Sequence, residues 1–222
     1  MENKINIAID GPSGVGKTIM AKMLAKRLNY KFISSGNLYR AIAYNAISKK
    51  IDLKNEEEIN NSWNFNDLYI SEDENVFLDG KDITKEIRED RVSLVASSIA
   101  KFQSVRLKVN EFIQKFGNKN KGIIVDGRDA TYRILPNAEV KFFLWATPEV
   151  RAERRLKQND ILGIKSNYDE ILESIKIRDY NDMNRDIDPL IVSEGSIKID
   201  STNMSVEENF NVMLEEILKR IN

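Results

Sequence analysis

The 222-residue sequence contains neither cysteine nor histidine. Without cysteine the chain cannot form disulfides, zinc–thiolate sites, iron–sulfur clusters or thiol nucleophiles. Without histidine no imidazole can act as a base, an acid or a metal ligand. Any chemistry must therefore use lysine, arginine, carboxylates, hydroxyl groups and the backbone.

The chain also lacks an excess of either charge and any long apolar run. Its 34 lysines and arginines nearly balance 35 aspartates and glutamates, which disfavours a general nucleic-acid-binding protein. No apolar run approaches the length of a transmembrane segment, and the first residues do not resemble a signal peptide. We expect a cytoplasmic monomer with no nucleic-acid and no membrane partner.

The strongest feature that is present is a phosphate-binding pattern near the start. Apolar residues alternate over residues 5–9, as in a strand, and helical spacing follows the glycine-rich stretch. Glycines let backbone N–H groups converge on phosphate oxygens at the positive end of a helix. A glycine-rich turn that binds nothing is the alternative. The stretch that fits the P-loop pattern is Gly11, Pro12, Ser13, Gly14, Val15, Gly16, Lys17 and Thr18.

Within this P-loop, two side chains have distinct predicted roles. Lys17 can reach the terminal phosphates of a nucleotide, and the Thr18 hydroxyl can hold Mg²⁺. A second polar cluster follows the next predicted strand, at residues 30–33. There, Ser35, Tyr39 and Arg40 lie where ligands gather in open α/β sheets. These side chains either meet a ligand or belong to an ordinary capped helix.

Residues 63–91 interrupt the alternation of strands and helices. Short β-prone runs at 68–70 and 76–78 flank a polar turn at 71–75, and Asp79-Gly80 is a tight-turn signal. We predict an inserted antiparallel subdomain over about 63–91, with an irregular excursion of the main domain as the alternative. The apolar stripe that follows, over 91–117, indicates either one helix or two helices broken near Phe102. Gly117-Asn118 is a helix stop signal.

The apolar run at 122–125 ends in Asp126, as a buried parallel strand would at the ligand-binding edge of a sheet. Asp126 would act on Mg²⁺, directly or through water, beside the P-loop. Arg128 follows at once and is well placed for a phosphate. A strand-end turn residue is the alternative for Asp126.

Two later helices carry arginine-rich patterns. The first, which begins near Thr147, carries Arg151, Arg154, Arg155 and Lys157. These residues form either a solvated basic face or part of a lid, at about 151–167, that closes over phosphates.

The second helix, at 168–185, continues an apolar stripe with Arg178, Asp182 and Arg185. Two guanidiniums suit a phosphate, and a carboxylate suits ribose hydroxyls. The alternative is an ion-pair ladder along the helix. The whole pattern predicts one α/β domain over 1–222, with a doubly wound, five-stranded parallel sheet. Its core would comprise 1–62, 92–150 and 168–222.

Together these stretches resemble the bacterial cytidylate (CMP) kinase family, P-loop nucleoside monophosphate kinases, over nearly the whole chain. The resemblance implies transfer of the γ-phosphoryl group of ATP, with Mg²⁺, to CMP or dCMP, as in pyrimidine nucleotide metabolism. It rests on residues 11–18, Ser-Gly-Asn-Leu-Tyr-Arg at 35–40, Asp-Gly-Lys-Asp-Ile at 79–83, Asp-Gly-Arg-Asp at 126–129, Leu-Pro-Asn-Ala at 135–138, Arg-Asp at 178–179, Asn-Arg at 184–185, Asp-Pro-Leu at 188–190 and Ile-Asp-Ser-Thr at 199–202.

The resemblance also implies roles for single residues. ATP would lie on the P-loop, where Lys17, Arg154 and Arg155 would surround the transferred group. Arg178 and Asp182 would hold the acceptor's sugar, and Tyr39 would also contact the CMP. The residues implied at the acceptor phosphate are Arg40, Arg128 and Arg185. Those implied near the cytosine are Ser35, Ser97, Arg106 and Asp129; Ser97 and Arg106 have no support from spacing.

The chain departs from the family pattern at two places. Ser34-Ser35-Gly36 stands where the family has Asp-Ser-Gly or Thr-Gly. Ala130-Thr131-Tyr132-Arg133 stands where the family continues with a glycine and a threonine. Tyr132 and Arg133 either alter the substrate fit or point outward.

Two other functions remain open at this point. A kinase for UMP or AMP would keep the same chemistry. A P-loop switch, whose nucleotide state controls a partner, belongs to a different class. The chain has no Asn-Lys-x-Asp guanine motif, and a switch would leave the predicted phosphate-binding arginines without a purpose.

Overall fold

The computed structural model describes residues 4–64, 66–71, 75–117, 121–161 and 163–221. Its strands are β1 (Ile7–Asp10), β2 (Lys31–Ser34), β3 (Leu68–Ile70), β4 (Val76–Leu78), β5 (Lys81–Asp82), β6 (Ile123–Gly127), β7 (Val140–Trp145) and β8 (Ile197–Asp200). Its helices are α1 (Lys17–Leu28), α2 (Ser35–Ser48), α3 (Glu56–Asn61), α4 (Asp90–Ile99), α5 (Gln103–Gly117), α6 (Pro148–Ile161), α7 (Tyr168–Asn184) and α8 (Val206–Ile221). A π-helical turn spans Ala130–Ile134. In the part of the chain described, no helix has the length and apolar composition needed to cross a bilayer.

The central sheet has five strands in the order β2-β6-β1-β7-β8. All neighbouring strands in it run parallel, which confirms the predicted α/β class. Side chains alternate across each strand. Ile7 and Ile9 therefore join the core under α1 and α8, whereas Ala8 joins the core under α2, α4 and α5. Helices on both faces make the fold doubly wound.

The second sheet is antiparallel, in the order β3-β4-β5. Its strands confirm the two predicted β runs. The turn residues 72–74 lie outside the described residues, and the boundaries 63–91 of an insertion remain a prediction. The predicted break near Phe102 is confirmed, because α4 ends at Ile99 and α5 begins at Gln103. α5 ends at Gly117, and Asn118 is outside the described residues.

The register of the parallel strands brings three chain segments to one edge of the sheet. Asp126 is level with Ile9 on β1 and with Ser34 on β2. The P-loop after β1, the start of α2 after β2 and the turn after β6 therefore begin at the same height. This edge is where open α/β sheets bind ligands.

Candidate active site

The P-loop is held by close contact with the neighbouring strand. Gly11 has φ +150°, and a Cβ on it would lie 2.2 Å from the Leu144 carbonyl oxygen, so only glycine fits. The buried Lys17 ammonium donates to the carbonyls of Gly11 and Pro12, at 2.7 and 2.8 Å. Gly16 precedes α1 without a side-chain cap, which leaves backbone N–H groups of the first turn available to an anion.

The electrostatics around Lys17 favour an anionic ligand. Burial lowers the pKa of Lys17 well below its usual value, and the Arg128 cation lowers it further. Asp126 acts in the opposite direction. Phosphate oxygens on the P-loop would also raise this pKa by stabilising the ammonium.

Thr18 and Asp126 form a pair of hard oxygen donors beside the P-loop. The Thr18 hydroxyl donates to Asp126 Oδ2 at 2.6 Å, and the Ser35 hydroxyl donates to the Asp126 carbonyl at 2.8 Å. These oxygens suit Mg²⁺, which usually takes one or two protein oxygens and fills its other positions with water and substrate phosphate. Among the described residues, no group of three or more acidic side chains is placed so that it could hold a metal ion.

The guanidiniums of four residues lie near one another at this edge of the central sheet: Arg40, Arg128, Arg155 and Arg178. The pKa of Arg40 is lowered to about 10, first by burial and then by Arg178, Arg128 and Arg155. The pKa of Arg178 is lowered by burial and then by Arg128 and Arg155. Like charges brought together in this way favour a bound anion. Arg40 also donates to Ser93 on α4, at 3.2 Å.

Asp182 makes its shortest ion pair across the site. Its carboxylate lies 2.6 Å from Arg128 Nε but 3.9 Å from Arg185 Nη1. Burial, the largest influence, would raise the pKa of Asp182, but Arg128, Arg185 and Arg178 together outweigh it and the pKa is lowered. The ion-pair ladder along α7 is therefore the weaker interaction. Arg185 is not in the helix as predicted: it follows Asn184 with extended backbone, and its guanidinium donates to the Asp188 carbonyl at 2.7 Å.

A second cluster surrounds Arg106, which is 1% exposed. Arg106 pairs with Asp129 and, at 2.8 Å, with Asp188. Arg185 lies 3.8 Å from the other oxygen of Asp129. The Tyr39 ring faces the Arg106 guanidinium at 5.7 Å, and its buried hydroxyl has no hydrogen-bond partner among the described residues. This arrangement joins α2, α5, the turn after β6 and the loop after α7.

The unusual residues Tyr132 and Arg133 contact that same loop. The Tyr132 hydroxyl donates to the Pro189 carbonyl at 2.5 Å, and the half-exposed Arg133 pairs with Asp188. Asp188 in turn holds Arg106. The departure from the family pattern therefore supports the loop that orients Arg106, rather than pointing away from the protein.

The predicted lid residues occupy three different environments. Arg151 is fully buried and pairs with Asp179, so it does not lie on a solvated face. Arg154 donates to the Ser201 carbonyl at 2.6 Å, away from the guanidinium cluster. Arg155 is exposed but acts electrostatically on Arg40 and Arg178. Ser97 is half-buried on α4. The roles of Ser97, Arg154 and Arg155 and the lid boundaries 151–167 remain predictions.

Sequence reasoning missed Asp10. It ends β1 with no exposed surface, accepts from the N–H groups of Ala130 and Thr131 at 2.8 and 2.9 Å, and accepts from the Thr131 hydroxyl at 2.6 Å. It therefore fixes the π-helical turn beside Asp129. The signal was available, because the apolar run at 5–9 ends in Asp just as the run before Asp126 does.

Asp10 should produce a distinctive pH dependence of stability. Burial raises its pKa from 3.8 to about 6. The folded protein therefore keeps this proton up to about pH 6, while the unfolded chain releases it near pH 4. The contribution of Asp10 to the free energy of unfolding should fall by about 3 kcal/mol as pH rises through this window.

Urea unfolding of wild type and Asp10→Asn between pH 4 and pH 7.5 measures this effect. The variant cannot titrate at this position. The free energy of unfolding of wild type minus that of the variant should therefore decrease from about pH 4 to 6 and then become constant. A difference that increases with pH would show that the three hydrogen bonds outweigh burial.

The fold and the site together define a class of protein. A parallel sheet, a P-loop with Lys17 and Thr18, and arginines facing that loop are the parts of a P-loop kinase. Solved structures agree on the fold. An uncharacterized protein from Eubacterium ventriosum superposes with a TM-score of 0.54 at 17% identity, covering 98% of this chain and 100% of that one. TT1252 from Thermus thermophilus superposes with a TM-score of 0.51 at 15% identity, covering 99% of this chain and 98% of that one.

Sequence comparison identifies the family. Residues 7–220 match the cytidylate kinase family. A cytidylate kinase of Mycoplasmopsis synoviae (strain 53) is 48% identical over 98% of this chain and 100% of its own length. A cytidylate kinase of Mycoplasmopsis agalactiae is 46% identical, over 94% of this chain and 94% of its own length. One of Caldicellulosiruptor bescii is 43% identical, over 97% of this chain and 96% of its own length. The chain belongs to the cytidylate kinase family.

Proposed function

We propose that this chain transfers the γ-phosphoryl group of ATP to CMP or dCMP, giving ADP and CDP or dCDP. Family membership supports the choice of nucleotide. The observation that carries the reaction type is the group of mutually repelling guanidiniums, Arg40, Arg128 and Arg178, beside the buried Lys17. The triphosphate of ATP and the phosphate of CMP would supply negative charge to this group.

On the donor side, residues 11–18 bind the phosphates of ATP through backbone N–H groups and Lys17. Thr18 would hold Mg²⁺, with Asp126 acting through water. Mg²⁺ bound there neutralises charge on the phosphates of ATP. When ATP binds, Lys17 would turn from the carbonyls of Gly11 and Pro12 to the phosphates. Their negative charge would offset the desolvation cost of the buried ammonium.

On the acceptor side, Arg40, Arg128 and Arg185 bind the phosphate of CMP. Arg178 and Asp182 contact the sugar, and Asp182 retains its pair with Arg128 as an orienting contact. The cytosine lies near the second cluster, where a base edge meets groups that can donate or accept hydrogen bonds. The residues proposed there are Ser35, Tyr39, Ser97, Arg106 and Asp129.

The reaction needs no general base. The attacking oxygen of the CMP phosphate is already anionic near neutral pH, so the protein has to position two nucleotides and neutralise charge. This agrees with a chain that has no histidine. Arg155 and Arg154 would close over the transferred group, once Arg154 gives up its hydrogen bond to Ser201. Their closure would exclude water, which would otherwise hydrolyse ATP. A cytoplasmic location and a monomeric state stay predictions.

A substrate panel tests the proposal. ADP release by the protein with ATP and Mg²⁺ is measured with CMP, dCMP, UMP, AMP or GMP supplied in turn. We expect rapid multiple turnover with CMP and dCMP. Stimulation mainly by UMP or AMP would contradict the base assignment but retain the chemistry. Slow ATP hydrolysis, unaffected by any monophosphate, would contradict the kinase and favour a switch.

A further inference from the structure

We propose that Arg151 and Asp179 form a positioning pair that couples the P-loop to the acceptor-binding helix α7. The inference rests on the proposed function and deepens it. Neither residue is assigned to either nucleotide. Their role is to make binding at one nucleotide site alter the other site.

The pair holds both backbone groups of one P-loop residue. Arg151 Nη1 donates to the Ser13 carbonyl at 2.8 Å, and the Ser13 N–H donates to Asp179 Oδ1 at 3.4 Å. The ring of contacts closes between Arg151 Nη2 and Asp179 Oδ2, at 2.5 Å. A guanidinium and a carboxylate thus fix the orientation of Ser13, and with it the direction of the N–H groups that follow in the loop.

The pair is also rigidly anchored. The Arg151 side chain has no exposed surface, and its Nε donates to the Ala146 carbonyl after β7 at 2.9 Å. A Cβ on Gly14 would lie 3.5 Å from Arg151 Cβ and 3.8 Å from Ile175 Cδ1. The P-loop therefore rests on both α6 and α7. Because buried charge pairs resist separation, a shift of α7 should move Ser13.

α7 carries the acceptor-binding groups. Asp179 follows Arg178 directly and lies one helical turn before Asp182, which pairs with Arg128. A CMP molecule that draws Arg178 and Asp182 inward would also move Asp179, and through it the Ser13 backbone. Coupling between binding sites is reciprocal, so ATP on the P-loop would equally favour the acceptor-binding position of α7.

Direct binding measurements on single and double variants test this role. Wild type, Arg151→Lys, Asp179→Asn and the double variant are titrated by calorimetry with CMP alone and with the Mg²⁺ complex of a non-hydrolysable ATP analogue alone. We expect each single change to weaken both ligands by about tenfold. The double variant should be no weaker than the poorer single variant, because both changes break one interaction.

Glu139→Gln is the matched control. Glu139 also pairs with a cation, Lys121, and accepts a backbone N–H, that of Asn6 at 2.8 Å, but it lies at the opposite edge of the sheet. This variant should leave both affinities unchanged. If the Arg151 and Asp179 variants lower the melting temperature but leave both affinities unchanged, the pair has only a structural role. If only the ATP analogue is weakened, the coupling claim is wrong.

A measurement on the wild-type protein covers the case in which the variants fail to fold. CMP alone should slow hydrogen exchange of the amides of Ser13 and Gly14, although CMP does not contact them. Unchanged exchange with CMP at saturation would overturn the inference. Failure of wild type to bind CMP at all would instead overturn the proposed function, so the two failures are distinguishable.

Discussion

Replacing Lys17 with alanine should lower kcat for CMP phosphorylation by roughly 10³-fold, since one preorganised cation is lost from the group that stabilises the transferred phosphoryl charge. The structure supports this expectation through the position of Lys17. It is buried beside Arg128 and Asp126, and its ammonium already bridges two P-loop carbonyls. Steady-state ADP release at saturating ATP and CMP measures the effect.

Lys26→Ala provides the control for Lys17→Ala. Lys26 lies on the same helix, in its exposed last turn, far from the P-loop end. Its removal should leave kcat unchanged. CMP affinity, measured by calorimetry, should be similar in both variants, because Lys17 serves the donor. A Lys17→Ala enzyme with kcat within tenfold of wild type would be inconsistent with a P-loop that acts on the terminal phosphate of ATP.

Replacing Arg106 with alanine should destabilise the protein by about 3–5 kcal/mol, since it leaves buried carboxylates without their cation. Arg106 is 1% exposed and pairs with both Asp129 and Asp188. In a chain of this size such a loss corresponds to a melting temperature lower by roughly 10 °C. Urea unfolding measures the free energy directly.

Lys219→Ala tests whether burial is the reason that loss of the Arg106 ion pairs destabilises the protein. Lys219 also pairs with two carboxylates, Glu215 and Glu216, but on the exposed face of α8. Its removal should leave the unfolding midpoint almost unchanged, because solvent screens exposed pairs. An Arg106→Ala variant that loses less than about 1 kcal/mol would mean that water reaches Asp129 and Asp188 and replaces the guanidinium.

The sequence predicted those features that depend on local pattern. The P-loop, the buried strand that ends in Asp126, and the parallel sheet all follow from periodicity and glycine spacing. The placement of Arg128 beside Asp182 was not available from spacing, because it joins the turn after β6 to α7. The long segment after residue 90 was correctly divided near Phe102.

Arg151 shows why part of the site was not predictable. In the sequence it belongs to a run with Arg154 and Arg155, and such runs usually lie on solvated faces. Its burial depends on Asp179 of α7 and on the carbonyls of Ser13 and Ala146, which come together only in the folded protein. Asp179 was named only as part of the family pattern and was given no role, because the predicted face of α7 passes through Arg178 and Asp182.

Transfer of labelled phosphate tests the central claim most directly. The protein is incubated with Mg²⁺, CMP and ATP labelled in the γ-phosphoryl group, and the labelled products are separated. The account predicts one labelled CDP, with the label in its terminal phosphoryl group, for each ADP formed. Label that appears in inorganic phosphate, with CMP unchanged, would contradict the account and show that the P-loop serves hydrolysis instead of transfer to a nucleotide.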